Sequence, residues 1–577
     1  MSFVRGAGLA GALASLAMAF AVLVGLLPGA SPLIFLVGAL GGAMYGVISA
    51  GGPKLMQAVG AVAAGGGVFV VGVVMSNRWL GISGFVGSLL AVAFLTAWRK
   101  QITEWSVPVW IWGVVAIAAI ALLLVPLVID GGTLDHDESS YALKAKAWLF
   151  DTPESGWGLH RGPAMSVYAY PILALNGTEP ALRGLGVVAL VGLAAATWWL
   201  GSHMSRPWVG PVGAVAILAS PPMLRRATEF LSDIPSAALL MICMVVVWRE
   251  FGEKKLPTYR LLWVVPLAWL AFYLRYQSLL SLALIALTIL VLWWPKVRAR
   301  PGPLISGAVV GLVGFVPHFL FSVTETGSPI GVLSGTTTAG GRDFRGDGLV
   351  DYAGMFGWTL GLFLGPIFAG LLLWWLITSW RENDQRTKGL FLLIPAVALV
   401  LALGLLGEAH ERFVFFSYAL LVVAGLTGLS HLSIDWRDRT RRAFMVGLSV
   451  ILIGGLAMSV ASSRRYVDSR RLRNEPLQLS AYEVQNLALG RSCGVLSSYV
   501  PQITFYSECS TVGFWVPKTP EQWVAGIPGE TTYMVLIENG KHQPSGYELD
   551  ELIELSMGDV MVVEGERDAA DLYIFEP

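Results

Sequence analysis

Charge is scarce in this sequence. Of 577 residues only 14% are Asp, Glu, Lys or Arg, against about a quarter in a soluble globular protein, while 55% are hydrophobic and the mean hydropathy is +0.65. Neither sign is in excess, since 39 Lys+Arg meet 39 Asp+Glu. That balance excludes a globally basic nucleic-acid binder and an acidic disordered chain, so no nucleic-acid partner is expected. Cysteine is nearly absent: three in the whole chain exclude a disulfide scaffold and a multi-cysteine metal cluster. The seven histidines form no H-x-x-H pair of the kind that marks a zinc site. Glycine is abundant, with 66 residues, yet no Walker or dinucleotide-binding pattern occurs among them, which fits small-residue helix packing.

What the chain has instead is a succession of apolar stretches of about 20 residues, each long enough to cross a ~30 Å hydrocarbon core. The expected spans are 8–27, 32–50, 57–75, 80–97, 108–129, 184–201, 208–224, 234–249, 261–274, 277–294, 304–323, 352–378, 389–407, 413–431 and 443–462. The first could be read as a signal peptide ending near Gly29-Ala30-Ser31, but another span follows it at once, so a retained anchor is expected. Arg275 interrupts the apolar run 261–294. An N-terminus in the cytoplasm places the basic groups Arg99-Lys100, Arg249 to Arg260, Lys296 to Arg300, Arg381 to Lys388 and Arg437 to Arg442 on the cytoplasmic side, as the positive-inside rule requires.

From about residue 463 the apolar runs shorten, and the tail carries 9 Lys+Arg against 17 Asp+Glu. Short β-like runs at Gly494–Ser498, Tyr533–Ile537 and Val560–Val563 alternate with helical stretches near Leu477–Leu489 and Tyr547–Leu555, the pattern of a small α/β domain. An odd number of spans puts it outside, on the oxidising side. There a Cys493–Cys509 disulfide is expected, the alternative being two buried thiols, while Cys243 belongs to helix packing. The expected organisation is therefore a four-helix extension (1–107), a transmembrane domain (108–462) with a long external loop (130–183), and an extracytoplasmic α/β domain (463–577).

The external loop opens with Asp135, His136, Asp137 and Glu138, followed by Tyr141, Leu143, Ala147, Trp148 and Phe150 in the pattern of an amphipathic helix lying on the membrane surface. The acidic group could simply complement that helix's N-terminal dipole. Asp137-Glu138-Ser139-Ser140-Tyr141, however, resembles the D-E-x-x-Y motif that opens the first large external loop of GT-C membrane glycosyltransferases, of the protein O-mannosyltransferase and lipid A aminoarabinose transferase type. Similar segments follow in order: His160-Arg161-Gly162-Pro163-Ala164, starting a second interfacial helix through Tyr168 and Tyr170; Asn176 to Arg183; Ser220-Pro221-Pro222 with Ser232-Asp233-Ile234-Pro235; and Glu411-Arg412-Phe413. The resemblance covers roughly residues 108–431. It departs from the family at Ser140, where an arginine is common, and at Arg161-Gly162, where Lys-Pro is common.

The resemblance implies an all-α polytopic membrane protein with a GT-C-like core and the small C-terminal α/β domain. It also implies transfer of a sugar from a polyprenyl-phosphate donor to an envelope glycan, lipid or protein at the outer face of the plasma (inner) membrane, with inversion. An attacking hydroxyl needs a carboxylate within reach, and the motif assigns Asp137 as that base, with Glu138 orienting a loop or the acceptor. Asp135 and Asp233 are acceptor or metal candidates. The leaving phosphate calls for fixed cations, for which Arg161, Arg412, Arg275, Arg225 and Arg226 are candidates, with Tyr141, His160, His410 and Glu411 beside them. No cofactor is required by this chemistry; Mg2+ or Mn2+ on Asp135, Asp137, Glu138 and Asp233 is the alternative. The glycine-rich loop 324–351 is either a closing flap or a passive connection. A transporter or flippase for lipid-linked saccharide, and a scaffold binding envelope polymer, are the competing functions.

Overall fold

The computed structural model describes residues 124–335, 346–356, 364–380, 382–406, 409–433, 438–514, 519–537, 540, 543–556, 560–565 and 569–575. The first four expected spans, the 1–107 extension and most of the fifth span lie outside the described residues, as does the centre of the loop 324–351. Of the fifth span, 124–129 is helical.

The external loop folds as α1 (His136–Phe150) and α2 (Ala164–Ala174), and then α3 (Glu179–Met204) begins at a Thr178 N-cap with Pro at its start. The segment expected to span as 208–224 is instead α4 (Val209–Leu218) and a one-and-a-half-turn α5 (Pro221–Arg226). Pro221 and Pro222 are the reason: the residue before a proline leaves the helical region. Ten residues at 1.5 Å each reach about half of a hydrocarbon core. α6 (Asp233–Val247), α7 (Val264–Leu274), α8 (Ser278–Ala299) and α9 (Gly302–Thr326) follow, with Arg275 at the break between α7 and α8. Of the expected span 352–378, residues 357–363 lie outside the described residues; α10 (Asp347–Gly354) precedes them and α11 (Leu364–Ser379) follows. α12 (Asn383–Leu406) and α13 (Phe415–Leu432) complete this part.

Among the described residues six helices are long and apolar enough to cross a membrane: Glu179–Met204, Asp233–Gly252, Ser278–Ala299, Gly302–Thr326, Asn383–Leu405 and Glu411–Leu432. The expected count of about fifteen is therefore not reached there. The helix from Glu411 is almost wholly buried at the centre, whereas α9 is exposed along nearly its whole length. Six such helices make the chain a multi-pass membrane protein.

α14 (Asp438–Ala488) contains the expected span 443–462 but runs on for 51 residues, through position 463 and into the C-terminal domain. That domain holds β1 (Cys493–Leu496), α15 (Val500–Ser507), β2 (Ser510–Val512), α16 (Pro520–Ala525), β3 (Thr531–Ile537), α17 (Tyr547–Leu555), β4 (Val560–Glu564) and β5 (Ala569–Phe575). Its five strands lie in the order β2-β1-β3-β5-β4, parallel from β2 to β3, with β5 antiparallel to both β3 and β4. A disulfide joins Cys493 to Cys509.

The loop helices and this domain share one hydrophobic core. Leu134, Tyr141, Leu143 and Met165 of the loop pack in the same cluster as Leu477 and Val484 of α14, Ile503 and Tyr506 of α15, and Val535 and Leu572 of the sheet. This corrects the expectation of a surface-lying amphipathic α1. Residues 138–143 are buried all round, and Trp148 and Phe150 near its end stand out, at 44% and 56% exposure. Polar contacts seal the junction: Leu134 N–H donates to the Tyr506 hydroxyl (2.9 Å), which donates to Glu179 (3.2 Å), and Lys146 donates to the Phe505 carbonyl (2.7 Å). Tyr506→Phe leaves a buried backbone N–H unpaired and is expected to cost about 1–3 kcal/mol. Thermal unfolding in detergent, beside cleavage between the loop and the domain under limited proteolysis, measures it; an unchanged midpoint refutes the docking role.

Candidate active site

The loop that leads into α1 is Asp130-Gly131-Gly132-Thr133-Leu134. Gly132 has φ +60°, a conformation that side chains resist. A Cβ on Gly131 would collide with Arg183 Nη1 and Arg470 Nη2. The two glycines thus let two guanidinium groups approach the backbone. Asp135 is the N-cap of α1 in a capping box with Glu138, which satisfies two helix-end N–H groups at once.

Glu138 is 1% exposed and saturated. Arg183 Nε and Nη2 fork onto its two oxygens (2.8 and 3.0 Å). The backbone N–H groups of Phe230 and Asp135 add two more bonds at 2.8 Å each, and Arg470 Nη1 stands 3.6 Å away. Burial pushes its carboxyl pKa up, but the fields of Arg183 and Arg470 and these hydrogen bonds outweigh burial and hold it at about 2. Arg183, itself 0% exposed, also donates to the carbonyls of Gly132 and Thr133.

Asp137, one residue earlier, points the other way. Its side chain is 29% exposed and accepts from Arg161 Nη2 on one oxygen (2.8 Å) and Arg412 Nη1 on the other (2.7 Å). Burial again opposes the charge, and the two guanidinium fields again win, holding the Asp137 carboxyl far below the usual range. Arg161 reaches it from the turn before α2, with its guanidinium 5.5 Å from the Tyr141 ring centre. That turn passes so close to the carbonyl of Tyr273 that a Cβ on Gly162 has no room. Arg412 arrives from the short 3-10 turn Glu411–Val414 before α13.

A cavity of about 380 Å³ opens beside these groups. Of the expected residues it is lined by Asp135, Asp137, Glu138, Arg226, His410, Glu411 and Arg412. Arg225 lies behind Glu411 as its ion-pair partner and over the Tyr466 ring (4.8 Å). Arg226 pairs with Glu229 at 2.8 Å, and Arg473 pairs with Asp135 at 3.3 Å. His136 lines the cavity and His160 lies near it. Burial is the main cause that lowers both imidazole pKa values; the Arg161 charge acts in the same direction, and the Asp137 charge opposes it. Asp233 and Arg275 do not line this cavity: they pair with each other, and Arg275 lies 4.4 Å from the Phe413 ring centre.

The four carboxylates expected as metal candidates are each engaged by arginine: Asp135 by Arg473, Asp137 by Arg161 and Arg412, Glu138 by Arg183, and Asp233 by Arg275. Among the described residues no three His, Cys, Asp or Glu side chains converge as a metal cage. Each of these carboxylates thus has a guanidinium partner, and no step below is routed through a metal ion.

Sequence reasoning missed Arg183, Glu229, Tyr466, Arg470 and Arg473. Arg183 ends one of the family-like segments and could have been read from it. The others lacked such a signal: Arg470 and Arg473 lie beyond those segments, in a tail set apart by its acidity.

Glu138→Gln removes a buried charge from under Arg183, and breaking such a pair costs about 3–5 kcal/mol. Asp137→Asn, at a more exposed position, is expected to cost less, as thermal unfolding of both variants would show. The depressed Glu138 pKa also fixes a sign: its contribution is complete above the ordinary carboxyl range near 4.3 and is lost as pH falls towards 2. Wild-type stability should therefore fall in that window more steeply than stability of the Gln variant. Equal slopes would count against the assignment.

No family model and no curated protein sequence matches the chain. Its fold is similar to that of solved structures. ArnT of Cupriavidus metallidurans bound to undecaprenyl phosphate matches with TM-score 0.54 at 14% identity, over 80% of this chain and 97% of ArnT, and the apo state matches equally. The oligosaccharyltransferase of Archaeoglobus fulgidus tethered to an acceptor peptide matches with TM-score 0.47 at 13% identity, over 74% of this chain and 69% of the other. The chain thus has a fold like that of ArnT.

Proposed function

We propose that this GT-C-fold protein is a glycosyltransferase that moves a sugar from a polyprenyl-phosphate donor to an acceptor hydroxyl, with Asp137 as the general base and with Arg161 and Arg412 as the cations that receive the phosphate. The observation that carries the reading is Asp137 itself, an accessible carboxylate at the wall of a cavity, held between two guanidinium groups. Around it, the ion-paired carboxylates Asp135, Asp137, Glu138, Glu229 and Glu411 are outnumbered by Arg161, Arg183, Arg225, Arg226, Arg412, Arg470 and Arg473.

A carboxylate clamped by two arginines is a weak base, because catalytic basicity is greatest near the working pH. Donor phosphate and Asp137 compete for the same two guanidinium groups. When phosphate takes them, the field that suppresses Asp137 is withdrawn and its oxygen is free to accept the acceptor's proton. The acceptor oxygen then bonds to the anomeric carbon as the carbon–oxygen bond to phosphate breaks. The electron pair leaves on the phosphate oxygen and is stabilised by Arg161 and Arg412. Attack opposite the leaving group inverts the anomeric centre. Glu138 has no spare oxygen for this chemistry and serves by fixing the turn that carries Asp137.

The Cys493–Cys509 disulfide supports an active site on the oxidising, extracytoplasmic side of the plasma membrane, in line with the basic residues of the opposite loops. The acceptor is then an envelope glycan, lipid or protein.

The test uses purified protein in lipid nanodiscs with radiolabelled polyprenyl-phosphate mannose and arabinose and an envelope extract. Asp137→Asn is expected to lose about 10²–10⁴-fold in transfer, yet to bind undecaprenyl phosphate at least as tightly as wild type, because two arginines lose their internal anion. Turnover at the wild-type rate would sink the base assignment, and weaker phosphate binding would sink the competition. Arg412→Ala should lose about 10-fold or more in undecaprenyl phosphate affinity, the scale of one charge-assisted contact, with acceptor affinity little changed. Equal losses in both would refute the phosphate role.

A further inference from the structure

Arg470 does not line the cavity, yet it is 1% exposed and lies between two carboxylates of the site. Its Nη1 stands 3.6 Å from Glu138 and 3.4 Å from Glu229, and its Nη2 donates to the Gly131 carbonyl at 3.3 Å. We propose that Arg470 is a positioning residue for sugar transfer: one guanidinium, carried by the helix of the C-terminal domain, holds Glu138 and Glu229 together and so fixes the turn bearing Asp137 against the Arg226 wall of the cavity. This rests on the transferase reading above.

Three observations carry it. The oxygens of Glu138 already have four donors in Arg183, Phe230 and Asp135, and Glu229 already has Arg226. At 3.4 and 3.6 Å, Nη1 adds shared charge more than hydrogen bonds. What it supplies is a cation between two buried anions that would otherwise repel. Second, Arg470 is placed by packing on both sides. Tyr466, one turn before it, meets its guanidinium at 5.8 Å and that of Arg225 at 4.8 Å. Leu477, Ala481 and Val484, on the following turns, are buried in the core shared with the loop. Third, Tyr466 and Arg473 of the same helix line the cavity, so α14 forms part of its wall one turn to either side of Arg470. The C-terminal domain thereby becomes part of the catalytic machinery, although none of its strands reaches the cavity.

The test compares Arg470→Gln, which removes the charge, with Arg470→Lys, which keeps a charge but loses the fork, in the full-length protein in nanodiscs. Transfer is scored on the polyprenyl-phosphate sugar that wild type uses, and binding is scored with undecaprenyl phosphate. Arg470→Gln is expected to lose about 10²-fold in single-turnover rate at saturating donor, the scale of an ångström-sized misplacement. Its undecaprenyl phosphate affinity should stay within about twofold of wild type, and Arg470→Lys should recover most of the rate. If Arg470→Gln folds poorly, combining it with Glu229→Gln removes the opposing charge, which should restore folding but not rate. A rate within about threefold of wild type in the Gln variant or in the folded double variant overturns the proposal, as does a loss of phosphate affinity as large as the loss of rate. Failure of the transferase reading shows elsewhere, as absence of undecaprenyl phosphate binding by wild type or indifference of that binding to Arg412→Ala.

Discussion

A carboxylate buried to 1% exposure persists in its charged form only when its lost hydration is replaced nearly bond for bond, and around Glu138 that requirement shapes the site. To meet it, α3 must bring Arg183, the loop before α1 must carry two glycines, and the strand of chain before α6 must present the Phe230 N–H. Once these are in place, the neighbouring residue on the helix has one direction left. Asp137 faces the cavity because Glu138 faces the interior. Two adjacent acids thus acquire opposite environments, one as a buried structural anchor and the other as an accessible carboxylate, the position that suits the base proposed above.

The same economy of position governs the arginines. Arg161, Arg225, Arg226, Arg412 and Arg473 arrive from four different places in the chain, and each is held by a carboxylate or by an aromatic ring. Guanidinium groups fixed in this way lose little further freedom when an anion replaces their internal partner. Such preorganised charge suits the proposed transfer, in which a phosphate leaves.

Much of this was legible in the sequence, and the reasons for the remainder are specific. Hydropathy located the long helices because a bilayer demands a minimum apolar length. It failed at 208–224, where apolar composition continues while the helix does not, because Pro221 and Pro222 follow the end of α4. Asp137, Arg161 and Arg412 were found as parts of local motifs. Arg470 and Glu229 could not be found that way, since their meaning lies in contacts between segments more than 200 residues apart, and no local spacing records them. The surface-lying α1 was misread for a related reason: the α15 side chains that cover it belong to the far end of the chain.

The shared core has a consequence for biosynthesis. Leu134 and Tyr141 are made long before Val535 and Leu572, yet all four belong to one cluster. Until the last strand has emerged and paired with β3, the loop helices have exposed apolar faces and an incomplete set of partners for their charges. The nascent chain therefore passes through a prolonged interval in which its chemistry is unassembled and its surface is open to chaperones and proteases. A chain without β3 and β5 is expected to insert its helices and yet leave Leu134 and Tyr141 without the partners that complete their core.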